Sequence, residues 1–313
     1  MQKLKSIITV VVLALIIGLF IYYLKNHISD FKQISFVKPH YIIILVLFTL
    51  FISWTNGVII KYIAEPFGVK LKFKEWFGLS IITSFYNIIT PFKGGLAAKA
   101  IYLKKYHNFS YTNFLSSWAG LYVINFFAGS FLGLISLYLI YIKHHIFNIV
   151  VTILFAVFFI PMLIIILFSL EFKETKYEYL NKFIRVINGW NVIRKNTKII
   201  IIASLTIITQ ILVNSLAVII SYHIIGVELG LEKAIFLSTV GIVGILVQIT
   251  PAGLGINEAL AVFFGLVVGI TPAQALTVAV IYRVISMAIM FTLGPVFSVL
   301  LVKKEKGKGG CEM

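Results

Sequence analysis

The sequence predicts an all-α membrane protein: a polytopic helical bundle of six full spans plus two re-entrant broken-helix hairpins arranged as an inverted repeat. Three observations carry that reading. The 313 residues are 60% hydrophobic with a mean hydropathy of +1.02, which suits a bilayer rather than water. Two apolar regions are interrupted midway by the same motif, I-T-P followed by glycines: I-T-P-F-K-G-G-L-A-A-K-A from Ile89 and Q-I-T-P-A-G-L-G-I-N-E-A-L from Gln248. Finally, the 27 Lys and Arg side chains segregate to one side of the membrane only if each interrupted region turns back on itself.

The elements follow in chain order, each span being about the length that a hydrocarbon core of about 30 Å requires. Lys3 and Lys5 precede an apolar run, Ile7 to Leu24, without an A-x-A cleavage site, so it reads as an uncleaved first span. Tyr41 to Ile63 is the second. Trp76 to Leu103 is the first interrupted region, and Phe114 to Tyr141 and Phe147 to Leu170 are the third and fourth spans. Glu171 to Lys198 is the only long polar segment. Within it Tyr177, Leu180, Ile184 and Ile187 recur at helical spacing, which gives an amphipathic linker lying on the anionic cytoplasmic leaflet or a plain solvated connection. Ile199 to Ile225 is the fifth span, Ala234 to Val268 the second interrupted region and Ala275 to Val302 the last span. Residues 1–302 then form one integral membrane domain, with halves 1–141 and 147–302 and the linker at 171–198. Lys303 to Met313, rich in Lys and Gly, is expected to be a disordered basic tail.

Each interrupted region is either one kinked span or a hairpin of two half-helices, and the charges decide between them. With two hairpins and a cytoplasmic N-terminus, 20 basic residues lie inside and 5 outside, with Lys93 and Arg283 at membrane depth. With two single spans the split is 12 against 13, and no bias remains. Both termini are then cytoplasmic and the two hairpins enter from opposite faces, so their tips can meet near the midplane. Paired broken helices of this kind are the architecture of secondary transporters.

The net charge of +16 follows from this topology and does not call for nucleic acid. Cys311 is the only cysteine, which excludes an intramolecular disulfide. No G-x-x-x-x-G-K-[ST] phosphate loop is present, and the only aspartate is Asp30 in an outer loop, so neither nucleotide hydrolysis nor a carboxylate-held magnesium is expected. The histidines are scattered, with only His144 and His145 adjacent, and neither a metal site nor a cofactor is expected. No Ser or Cys stands beside a plausible base, so the residues give no catalytic constellation.

What remains are ionisable groups at membrane depth, which are costly and usually functional. Pro91 and Pro251 break the two regions. Lys93 lies at the first tip; its ordinary use is to snorkel to the cytoplasmic face, and its functional use is to hold an anion. Glu258 follows the second tip and Arg283 lies in the last span; the two can pair to lock hairpin to span, which leaves Glu258 as a structural or coupling charge. Lys99 reads as interfacial. The functional reading is recognition of a lipid head-group phosphate by Lys93 and Arg283, with backbone N–H groups at Gly94, Gly95, Gly253 and Gly255 at half-helix N-termini. The partners are then membrane lipids, an anionic phospholipid or a polyprenyl phosphate. The oligomeric state is left open.

At these residues the chain resembles a known family. P-A-G-L-G-I-N-E-A in the second half and P-F-K-G-G-L-A-A-K-A-I-Y-L in the first are similar to the transmembrane region of lysylphosphatidylglycerol synthases, a flippase-like family, over about Tyr41 to Val302. The first motif departs from the family pattern, which has a glutamate after the glycine where this chain has Leu96 and Ala97. The resemblance implies movement of an aminoacylated or anionic phospholipid, or of a polyprenyl-phosphate-linked lipid, between leaflets. In full-length synthases a separate cytosolic domain performs aminoacyl transfer. That domain is expected to be absent here, which leaves as the alternative a membrane subunit of a phosphatidylglycerol lysyltransferase or lipid glycosyltransferase whose catalytic part, a cytosolic transferase, is another chain.

Overall fold

A computed structural model describes residues 38–168, 171–247 and 250–306. The expected first span, Ile7 to Leu24, lies outside the described residues. Those described are helical, without strands: α1 Ile42–Ala64, α2 Phe73–Ile89, α3 Gly94–His107, α4 Tyr111–His144, α5 Ile149–Leu167, α6 Glu178–Arg194, α7 Thr197–Ile224, α8 Leu231–Thr239, α9 Gly241–Val247, α10 Ile256–Val267 and α11 Pro272–Lys306. Among the described residues five stretches, carried by α1, α4, α5, α7 and α11, are long and apolar enough to cross a membrane. They coincide with the second to sixth expected spans. Residues 303–306, expected as tail, continue α11 instead.

Both interrupted regions fold back on themselves. α2 ends at Thr90 in an extended conformation (φ −120°, ψ 146°), as the residue before a proline tends to be. Phe92 and Lys93, both at φ 54°, then reverse the chain. α3 returns so close to α2 that a Cβ on Gly95 would lie 1.9 Å from the Thr83 carbonyl oxygen, an approach open only to glycine. A single kinked span would hold these residues apart. In the second region α8 and α9 descend to a short 3-10 turn at Pro251–Gly253, and α10 returns. The Phe236 ring of α8 meets Phe264 of α10 with centroids 5.8 Å apart.

Polar contacts at the helix ends show which ends share a face. Glu65 and Lys198, 3.0 Å apart, join the end of α1 to the start of α7. On the same face Glu75 and His107, 3.5 Å apart, close the two ends of the first hairpin. On the opposite face the Lys38 N–H donates to the Ile224 carbonyl (3.4 Å), joining the start of α1 to the end of α7. There Lys143 and His144 at the end of α4 clasp Glu232 at the start of α8, at 3.0 and 2.9 Å. Burial raises the Glu232 pKa, but hydrogen bonds from His144, a backbone N–H and Lys143 outweigh it and bring the carboxyl down to about 2. The first hairpin therefore opens on one face and the second on the other.

The linker is helical, but it is not a simple surface helix. α6 lies along α4, and its glycine sits in the contact: a Cβ on Gly189 would be 2.4 Å from the Ser116 carbonyl oxygen, and one on Gly120 would be 2.6 Å from that of Gly189. Trp190 and Ile193 are buried in this contact, and Ile184 is buried as well. Tyr177 and Leu180, expected on the same apolar face, remain exposed. Within the helix, Arg185 donates to Glu174, which precedes it, and holds its carboxyl below the ordinary range. Small residues at close helix contacts do the packing elsewhere too, as they do in membranes generally, where burial in lipid gives helices no hydrophobic drive to associate.

Candidate functional site

The two tips meet. The Lys93 ammonium donates to the Ile245 carbonyl in α9 at 2.7 Å, across 152 residues of sequence. That oxygen lies in the last turn of α9, where carbonyls lack intrahelical partners and the dipole favours a cation. α2 also packs against the Pro251–Gly253 turn.

The second tip is built around Glu258. Thr250 is extended ahead of Pro251 (φ −79°, ψ 153°), and its hydroxyl donates to the Leu254 carbonyl at 2.9 Å. Ala252, at φ 53°, is held in the left-handed region, and its carbonyl accepts from Asn257 at 3.1 Å and from Arg283 at 3.4 Å. One Glu258 oxygen accepts the Gly255 N–H at 2.8 Å, capping α10; the other lies 2.6 Å from the Arg283 guanidinium. The negative charge that a helix N-terminus favours is thus supplied by the protein itself. Both side chains keep some exposure, 11% for Glu258 and 17% for Arg283, because they line a cavity of about 560 Å³. Ser221, Tyr222, Asn257 and Ser286 are among the polar groups of its walls, and Val218, Leu237, Phe264 and Met287 among the apolar ones.

A smaller cavity of about 260 Å³ lies beside the first tip. It is lined by Lys93, Lys99, Asn56, Asn87, Asn125 and Gln210 among others, and it shares Ser84, Asn87 and Ile245 with the larger one. The bond between Lys93 and Ile245 therefore lies where the two cavities adjoin.

The structure distributes the sequence-predicted residues unevenly. Pro91 and Pro251 lie at the turns, and Glu258 and Arg283 come together as a pair. Of the glycines, Gly95 donates its N–H to Asn87 at 3.0 Å, Gly253 donates to the Thr250 carbonyl at 2.9 Å, and Gly255 is taken by Glu258. Gly94 is pressed against the Thr90 side chain. These N–H groups hold the hairpins in shape, which removes Gly95, Gly253 and Gly255 as open anion donors. Lys93 lines the smaller cavity and Arg283 the larger.

Lys99 was expected at the interface, but it is 4% exposed, with its ammonium 3.7 Å from the centroid of the Trp118 ring. It was legible in one respect: Gly95, Lys99 and Leu103 recur every four residues and form the buried face of α3. Among the described residues no group of three or more His, Cys, Asp or Glu could hold a metal ion.

Comparison with protein families matches residues 6–294 to the family described as lysylphosphatidylglycerol synthase TM region. No curated protein matches the chain, and no solved structure does.

Proposed function

The chain belongs to the lysylphosphatidylglycerol synthase TM region family, and from that membership we propose that it is a flippase-like lipid transporter of the cell membrane. Its cargo is an anionic or aminoacylated phospholipid, or a polyprenyl-phosphate-linked lipid. The observation that carries this reading is the meeting of two broken-helix hairpins, opened on opposite faces, beside a cavity of about 560 Å³ that mixes an ion pair with apolar walls. Irregular backbone is tolerated at membrane depth where it is buried in protein or lines such a cavity. Rocking one hairpin against the other would expose that cavity to each face in turn, as in transporters built from inverted repeats. The expected repeat pairs α5 with a span at 7–24, and α7 with α1, α10 and its preceding half-helices with α2 and α3, and α11 with α4.

A second reading, a membrane subunit of a phosphatidylglycerol lysyltransferase or lipid glycosyltransferase, is favoured by the family's description as part of a synthase. Reconstitution separates the two. Purified chain in liposomes holding a fluorescent phosphatidylglycerol should speed exposure of inner-leaflet probe to dithionite well above protein-free vesicles. A folded chain that gives no acceleration overturns the transport reading and leaves the subunit reading.

A further inference from the structure

Resting on the transporter reading, we propose that the smaller cavity is a seat for a phosphate group, with Lys99 as its central cation and Lys93 beside it. Lys99 is buried and opens into this cavity, yet among the described residues its ammonium has no carboxylate or carbonyl partner and lies against the Trp118 ring. A buried ammonium without a counter-charge is costly, and a cation–π contact offsets only part of that cost. Among the described residues no Asp or Glu lines the smaller cavity, whereas in the larger one Glu258 neutralises Arg283.

The surrounding amides are oriented as donors. The Gly95 N–H needs an acceptor, so the Asn87 oxygen is fixed toward it and the Asn87 NH₂ is left over. Thr55 gives its hydroxyl hydrogen to the Ile52 carbonyl, so it can only accept from Gln210. That turns the Gln210 NH₂ toward Thr55 and Asn56, engages the Asn56 oxygen at 3.1 Å and leaves the Asn56 NH₂ over as well. Lys93 has used one N–H on Ile245, which leaves two. Two ammonium groups and two oriented amides with no fixed anion among them match the several oxygens of a phosphate. The volume of about 260 Å³ holds a head group but not acyl chains, and Asn56, exposed yet part of the lining, marks the side on which the cavity opens.

The test uses the purified full chain in uncharged detergent, with dioleoylphosphatidylglycerol, dioleoylglycerol and sodium phosphate as separate probes. Phosphatidylglycerol should raise Tm in a saturable way and dioleoylglycerol should not. Lys99→Met keeps the volume and removes the charge: its apparent affinity for phosphatidylglycerol should fall at least about ten-fold, while ligand-free Tm stays the same or rises. Retained affinity in folded Lys99→Met overturns the seat, as does an equal response to dioleoylglycerol. If Lys99→Met does not fold, Asn56→Leu, which removes one of the two oriented amides, carries the test: weakened binding supports the seat and unchanged binding overturns it. A Lys99-dependent response to sodium phosphate means that the seat takes free phosphate; a response to phosphatidylglycerol alone means lipid-borne phosphate, and either supports it. Lys99-dependent binding in a chain that moves no lipid would overturn the transport reading and leave the seat; transport without such binding would do the reverse.

Discussion

Arg283 donates to a carboxylate that is already occupied in capping α10, so the pair joins the second hairpin to the last span through one residue. Glu258→Gln should leave a partly buried guanidinium without its counter-charge, at a cost of about 3–5 kcal/mol. The double change Glu258→Gln with Arg283→Gln should recover much of that loss. Thermal denaturation of the three variants measures it, and simply additive losses would mean that the two side chains act independently. This pair was readable from the sequence because a charge at membrane depth has to find a partner or water, and few partners were on offer. Lys99 was harder to read. Its nearness to Lys104 and Lys105 suggested an interfacial cluster, whereas its place on the Gly95–Leu103 face puts it inside. The engagement of the glycine N–H groups was not readable at all, because it depends on where Asn87 and Glu258 point.

The hairpins were legible as elements because proline and glycine act locally: Pro91 and Pro251 fix extended residues before them, and Gly95 permits an approach that no side chain allows. The linker was legible only as a helix. Residues at three- and four-residue spacing mark an apolar face without saying whether lipid or protein covers it, and here α4 covers the half around Gly189. Gly189→Val should push α6 off α4, at about 1–3 kcal/mol of local overpacking. Limited trypsinolysis should then cut at Lys182 or Arg185 far faster than in the unchanged chain, with the bundle core still intact. Equal cleavage rates would show that the glycine contact does not hold the helix.

At the scale of the whole molecule, counting charges favoured hairpins over kinked spans, since positive residues record sidedness even where helical periodicity is silent, and the helices do turn back at both broken regions. That the tips touch could only be anticipated; the contact itself rests on a lysine and a carbonyl 152 residues apart. This separation has a consequence in time. A ribosome adding about 5–20 residues per second needs roughly 8–30 s to deliver Ile245 after Lys93 has been made. Through that interval the first hairpin has no second tip to rest on, and its lysine must stay in water or among head groups. Final seating of the first hairpin therefore waits for the other half of the chain. In a Cys311→Ser background, a cysteine at position 93 should react readily with a water-soluble maleimide in ribosome-arrested chains ending before Gly241, and slowly in finished protein. Equal protection in both would mean that the first hairpin settles alone.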